Sequence, residues 1–169
     1  MDVNSAKVLI LTGPCGSGKS TIAKLIAKHS NFEVVSGDDI KGKLFPDIGD
    51  ITEFPEKLEK VKEQILKNTQ EHFNNGKNVI VDYVILGKKQ IENYRNLFKS
   101  NLIIKVLLPE KDELIQRDKN RDCWTAGHDC TSELFEKFER LKGYIGKDNF
   151  IDTTNETPKE TYVTHFQKF

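Results

Sequence analysis

The chain has 169 residues, of which 37% are hydrophobic and 31% charged, which suits one domain with a full core. Lys+Arg and Asp+Glu both number 26, so the formal charge is zero, and this weighs against a long nucleic acid as partner, because phosphate neutralisation calls for a basic excess. No apolar run approaches the roughly 18 residues of a membrane span and the N-terminus lacks a signal-peptide pattern, so no membrane association is expected.

Residues 7–12 predict a first strand, buried on both faces because its apolar run is continuous. Residues 18–29 predict a helix with Ile22, Leu25 and Ile26 inward, and 32–36 a second strand. A long helix is predicted over 53–74, where Leu58, Val61, Ile65, Thr69, His72 and Phe73 recur at helical spacing and Gly76 ends it. Residues 78–82 predict a third strand and 88–100 a helix with Ile91, Tyr94, Leu97 and Phe98 inward. The fourth strand, 102–108, is stopped by Pro109. Helices over 110–120 and 132–144 follow, then a brief strand over 149–152, and Pro158 opens a terminal helix. This alternation of strands and helices over 1–169 predicts a three-layer α/β fold with five strands in one domain.

Between the first strand and the first helix, Gly13-Pro14-Cys15-Gly16-Ser17-Gly18-Lys19-Ser20, followed by Thr21, matches G-x-x-x-x-G-K-[ST] in the strand-to-helix context this motif requires. Glycines let the backbone curl so that successive N–H groups cradle phosphates at a helix N-terminus. Lys19 supplies a charge for the β- and γ-phosphates of ATP, and the Ser20 hydroxyl is placed to ligate Mg²⁺. The bland alternative is a glycine-rich turn with an incidental lysine. No N-K-x-D guanine reader is present, and Asp82 is followed by Tyr83-Val84-Ile85 rather than by a D-x-x-G switch. The size leaves no room for the further modules of a motor or transporter ATPase.

Four later elements carry a resemblance: Ser36-Gly37-Asp38-Asp39-Ile40, the strand 78–82, Gln116-Arg117-Asp118-Lys119-Asn120-Arg121, and Phe150-Ile151-Asp152-Thr153-Thr154-Asn155. In this order the chain resembles the small P-loop kinases of the AAA-type P-loop NTPase superfamily, such as gluconate kinase, shikimate kinase, chloramphenicol phosphotransferase and the kinase domain of polynucleotide 5′-hydroxyl kinase. The resemblance implies strand order 2-3-1-4-5, a helical acceptor-binding region over about 37–75, and a lid over about 117–130. It implies Asp38 as the general base that holds the acceptor hydroxyl, with Asp39 as the near alternative. It also implies an arginine of the Arg117/Arg121 pair on the phosphates, and adenine near Thr154. The segment 122–129 departs from the short R-x-x-x-R-x-G run of that family.

The residues themselves agree with these roles and also admit plainer ones. Asp82 ends an apolar strand where a carboxylate can support Mg²⁺ opposite Ser20, or simply mark a turn. Asp38 or Ser36 can cap the helix starting near Ile40. Arg117 and Arg121 share a helix face and can clamp phosphate or pair with Glu113, Asp118 or Asp122. Lys41, one turn beyond Asp38, and Tyr83 are candidates for the acceptor pocket. Cys123, His128 and Cys130 lack the fourth ligand of a structural zinc site, so no zinc is expected. Three cysteines without a framework suit a reducing, cytoplasmic setting.

The leading expectation is an ATP- and Mg²⁺-dependent phosphotransferase acting on the hydroxyl of a small molecule, as a monomer or homodimer. The alternatives are a nucleoside or polynucleotide 5′-hydroxyl kinase and a catalytically weak ATP-binding regulator.

Overall fold

The computed structural model describes residues 6–120 and 127–169. Five parallel strands form one sheet: β1 (Val8–Thr12), β2 (Phe32–Ser36), β3 (Asn78–Asp82), β4 (Leu102–Leu107) and β5 (Phe150–Ile151). Their order is β2-β3-β1-β4-β5, as the resemblance implied. The helices are α1 (Lys19–His29), α2 (Gly37–Leu44), α3 (Pro55–Asn74), α4 (Lys88–Phe98), α5 (Lys111–Lys119), α6 (His128–Ile145) and α7 (Pro158–His165). No described helix is long and apolar enough to cross a membrane.

Side chains alternate across a strand, and the alternation divides the core in two. Val8 and Ile10 of β1 join Val79 and Val81, Ile104 and Val106 on the face packed by Val61 and Ile65, Ile91 and Phe138. Leu9 and Leu11 join Ile80 and Leu107 on the opposite face, under Ile22 and Ile26 and Phe166. Every residue of β1 is buried, which is why its sequence reads as a continuous apolar run.

Of the boundaries that differ from the sequence reading, three have a visible cause. The long helix starts at Pro55, because a 3₁₀ turn over Ile51–Glu53, capped by the Asp50 carboxylate on Thr52 N at 2.9 Å, precedes it. Proline suits the first helical turn, where its missing N–H has no intrahelical partner to lose. The fourth helix ends at Phe98, and residues 99–101 form a 3₁₀ turn. The sixth starts at His128, four residues earlier than its apolar stripe suggests. The N–H of Gly127 donates to the Asp118 carboxylate at 2.9 Å and its carbonyl accepts from Thr131 N at 3.0 Å, which carries the helix back to that point.

Candidate functional site

The carboxy ends of the three strands on one side of the sheet fall level, because Leu11 of β1 and Ser36 of β2 both stand in register with Asp82 of β3. The loop after β1, the Asp82 carboxylate and the segment after β2 therefore open on one edge, the crevice in which open α/β sheets take ligands.

The loop 13–18 enters α1 with Gly18 as N-cap, no side-chain cap and no acidic residue in the first turn. The first amides of α1 are thus left for an outside anion, and the helix dipole favours one there. At Gly13 the close approach of β4 demands glycine: a Cβ would lie 2.4 Å from the Leu107 carbonyl oxygen. Lys19 folds back over the loop and donates to the Pro14 carbonyl at 3.3 Å. Ser17 is 2% exposed, and its hydroxyl has no partner among the described residues. Buried hydroxyls are nearly always paired, so this one is a place for something the protein chain does not supply. Thr21 is exposed on α1 and Cys15 is half-buried in the loop.

Asp82 is 7% exposed. Burial pushes its carboxyl above the usual carboxylate range; a hydrogen bond from the Ser20 hydroxyl and the charge of Lys19 pull it back, and Asp38 and Asp39 push it up again. These five side chains thus form one electrostatic neighbourhood drawn from three loops. The segment after Asp82 is held to β1, since Ile85 N donates to the buried Thr12 hydroxyl at 2.9 Å.

Asp38 and Asp39 are exposed on the first turn of α2. The cap of that helix is Ser36, whose hydroxyl accepts from Asp39 N at 3.2 Å, so the capping role considered for Asp38 falls to Ser36. The ring of Tyr83 packs against the start of the same helix, and a Cβ at Gly37 would meet its Cδ2 at 2.0 Å. Its phenol is pushed up to about 12 by burial first, then by the charges of Asp38 and Glu59. Tyr83 therefore bridges the end of β3, the start of α2 and the flank of α3. Lys41 departs from its expected place in this group: its ammonium donates to the Ile48 carbonyl and holds the turn after α2.

Beyond the phosphate loop lies a cavity of about 270 Å³, lined by Ser17, Arg117, Thr153, Glu156, Pro158 and Thr161 among others. Arg117, the member of the Arg117/Arg121 pair among the described residues, lines this cavity beside Ser17 and Gly18 of the phosphate loop and makes the i,i+4 pairing with Glu113 that was its plainer alternative. Its guanidinium donates to Glu113 at 2.7 Å, to the Thr153 hydroxyl at 3.2 Å and to the Thr153 carbonyl at 2.8 Å. The Thr154 hydroxyl accepts from Glu110 N at 2.7 Å and donates to Asp152, so it braces the loop after β5, and Thr153 is the threonine that reaches the cavity. Arg121, Cys123 and the segment 121–126 of the expected lid lie outside the described residues. Cys130 lies in the first turn of α6, and its thiol is pushed up by burial first and then by Cys15, which puts the start of α6 near the phosphate loop.

Sequence reasoning missed Glu59, Glu156, Pro158 and Thr161 as members of the site. The helix start at Pro158 was legible, but nothing local places that start across from Ser17.

Residues 8–141 match the family described as AAA domain. The chain is similar to the shikimate kinase of Persephonella marina, 31% identical over 156 residues that cover 89% of this chain and 91% of that one. In fold it is similar to the shikimate kinase from Acinetobacter baumannii in complex with shikimate, at TM-score 0.71 and 20% identity, covering 98% of this chain and 93% of that one. It also matches a chain of an RNA repair complex at TM-score 0.69 and 22% identity, covering 82% of this chain. It spans only 46% of that longer chain.

Proposed function

The chain belongs to the AAA-domain family of small P-loop kinases, and from that footing we propose that it transfers the γ-phosphoryl group of ATP to a hydroxyl of a small-molecule acceptor. The observation that carries this reading is the buried Asp82, within electrostatic reach of Ser20 and Lys19 on the donor side and of Asp38 and Asp39 on the other. A nucleotide-binding turn alone has no need of carboxylates facing its phosphate end.

The main-chain N–H groups of the loop from Gly13 to Ser20, Pro14 excepted because proline has none, hold the triphosphate, and Lys19 leaves the Pro14 carbonyl to follow its β- and γ-oxygens. Ser20 and Asp82 suit a hard cation, because both present oxygen atoms and the Ser20 hydroxyl is near enough to stabilise the Asp82 carboxylate. Mg²⁺ held there would neutralise charge on the phosphates. Arg117 and Pro158 form the walls for the adenine in the 270 Å³ cavity.

On the other side, Asp38 accepts the proton of the acceptor hydroxyl as its oxygen bonds to the γ-phosphorus and the bond from that phosphorus to the β–γ bridging oxygen breaks, with ADP leaving. Asp39 stands one residue away and carries the same chemistry if the acceptor enters from its side. Tyr83 and Glu59 wall the acceptor space, and Tyr83 stays unionised at neutral pH. The shikimate kinase relative supports a small hydroxylated acceptor.

A transfer screen with γ-labelled ATP across shikimate, sugars, sugar acids, nucleosides and 5′-hydroxyl oligonucleotides tests this. Label on a small molecule that disappears in Asp38→Asn and in Asp82→Asn, while ATP still binds Asp38→Asn, is the expected result. Label on oligonucleotides alone assigns a 5′-hydroxyl kinase. ATP binding with no acceptor labelled, and no change on Asp38→Asn, refutes catalysis and leaves a regulatory nucleotide binder.

A further inference from the structure

Among the described residues that line the cavity beside the phosphate loop one carries a carboxylate, Glu156, and each of its oxygens has a partner on α7. Glu156 Oε2 accepts from the Thr161 hydroxyl at 2.8 Å, and Oε1 lies 3.1 Å from His165 Nε2. Its backbone N–H donates to the Thr153 carbonyl at 3.2 Å, closing the turn that carries it. A carboxylate offers about four lone-pair positions, so roughly two of Glu156 remain for a ligand, and they can only accept.

Its neighbour on the wall has the opposite character. The Thr153 hydroxyl oxygen accepts from Arg117 at 3.2 Å, which leaves its own hydrogen to donate. Arg117 and Pro158 supply flat walls, Ile22 and Leu107 an apolar floor, and the volume of about 270 Å³ is at the small end for a ligand pocket and close to what one aromatic base needs. The unpartnered Ser17 hydroxyl, 2% exposed and lining the same cavity, is an independent sign that a ligand belongs there.

An acceptor from Glu156 and a donor from Thr153 on the wall of one cavity complement the edge of a 6-aminopurine, where an exocyclic N–H lies beside an unprotonated ring nitrogen. A 6-oxopurine reverses that pattern, setting its carbonyl oxygen against the carboxylate and its ring N–H against the hydroxyl hydrogen. We infer that Glu156 selects the donor nucleotide, accepting a hydrogen bond from the 6-amino group of adenine and rejecting 6-oxopurine triphosphates. The inference rests on the proposed nucleotide site and adds to it the residue that sets base specificity; Glu156 is a specificity residue and takes no part in phosphoryl transfer.

The test is displacement of a fluorescent nucleotide from the full chain with Mg²⁺ by ATP, inosine triphosphate, GTP and inorganic tripolyphosphate. ATP and inosine triphosphate differ only around the 6 position, so the unmodified protein already tests the idea: ATP should bind at least about ten-fold tighter, since mismatched buried polar groups are strongly penalised. Glu156→Gln, which adds an N–H donor, should shrink that ratio by improving inosine triphosphate while leaving tripolyphosphate unchanged. Equal binding of ATP and inosine triphosphate, or tighter GTP, overturns the inference. So does an equal loss for both purines in Glu156→Gln, the mark of a purely structural role. Failure of tripolyphosphate to bind together with every nucleotide removes the phosphate site, and the proposed function with it.

Discussion

Gly37 is the position at which one methyl group tests the architecture of the acceptor side. It begins α2, is buried, and faces the ring of Tyr83; an alanine Cβ would lie 2.0 Å from Cδ2, 2.6 Å from Cγ and 2.7 Å from Cε2. All three are ring atoms near the base of the side chain, so the overlap is relieved only by moving the ring or the helix. Overpacking of this kind costs about 1–3 kcal/mol. Alanine in a helix otherwise gains up to about 1 kcal/mol over glycine, so the net loss for Gly37→Ala lies between about 0 and 3 kcal/mol. At roughly 2–4 °C per kcal/mol for a chain of this size, a central loss of about 1.5 kcal/mol lowers Tm by about 3–6 °C.

Tyr83→Ala is destabilising by itself, but it removes the obstacle. In that background Gly37→Ala should be neutral or slightly stabilising, so the cycle yields a coupling of about 1–3 kcal/mol. Urea unfolding of the four proteins measures this, and acceptor KM should rise in Gly37→Ala with little change in nucleotide affinity. A Gly37→Ala loss equal in both backgrounds, or none in either, would refute the placement of Tyr83 against α2.

Asp82→Asn should raise the Tm of the nucleotide-free protein at neutral pH while abolishing transfer. Burial makes the folded protein hold the Asp82 proton to higher pH than the unfolded chain does, so the stability linked to this group is complete below the ordinary carboxylate value of 3.8 and is lost as pH rises through the elevated one. The gain from asparagine, read by calorimetry across pH, should therefore vanish in acid. Tyr83, held at about 12 against an ordinary 10, contributes stability that is intact below pH 10 and lost as pH climbs through 12. Tyr83→Phe should flatten part of that alkaline loss in pH-dependent urea unfolding; Tyr94, which burial also pushes up, and Tyr144, raised by its hydrogen bond to Glu92, contribute to what remains. Thr157→Ala breaks the capping box of α7 and should cost about 1 kcal/mol, or roughly 2–4 °C. Because that helix start carries Pro158, ATP affinity should weaken as well, by calorimetric titration.

Much of the fold was legible because its signals are local. The extents of β2 and β3 are those read from apolar runs and turn residues, and the strand order follows the one implied by the family resemblance. Helix boundaries slipped where a cap or anchor came from elsewhere, as with Asp118 on Gly127, because hydrophobic periodicity carries no information about a partner nine residues upstream across a loop.

The phosphate loop was determined by residues 13–20 alone, since eight neighbours in the right order suffice to curl a backbone around an anion. Everything that meets the loop was decided by tertiary structure. The register of β1 with β3 and of β3 with β2 sets Asp82 and Ser36 beside it, Arg117 turns to the loop after β5, and Lys41 turns to Ile48. Each side chain had several chemically reasonable partners within reach of its sequence position, and only the packing of strands and helices selected one.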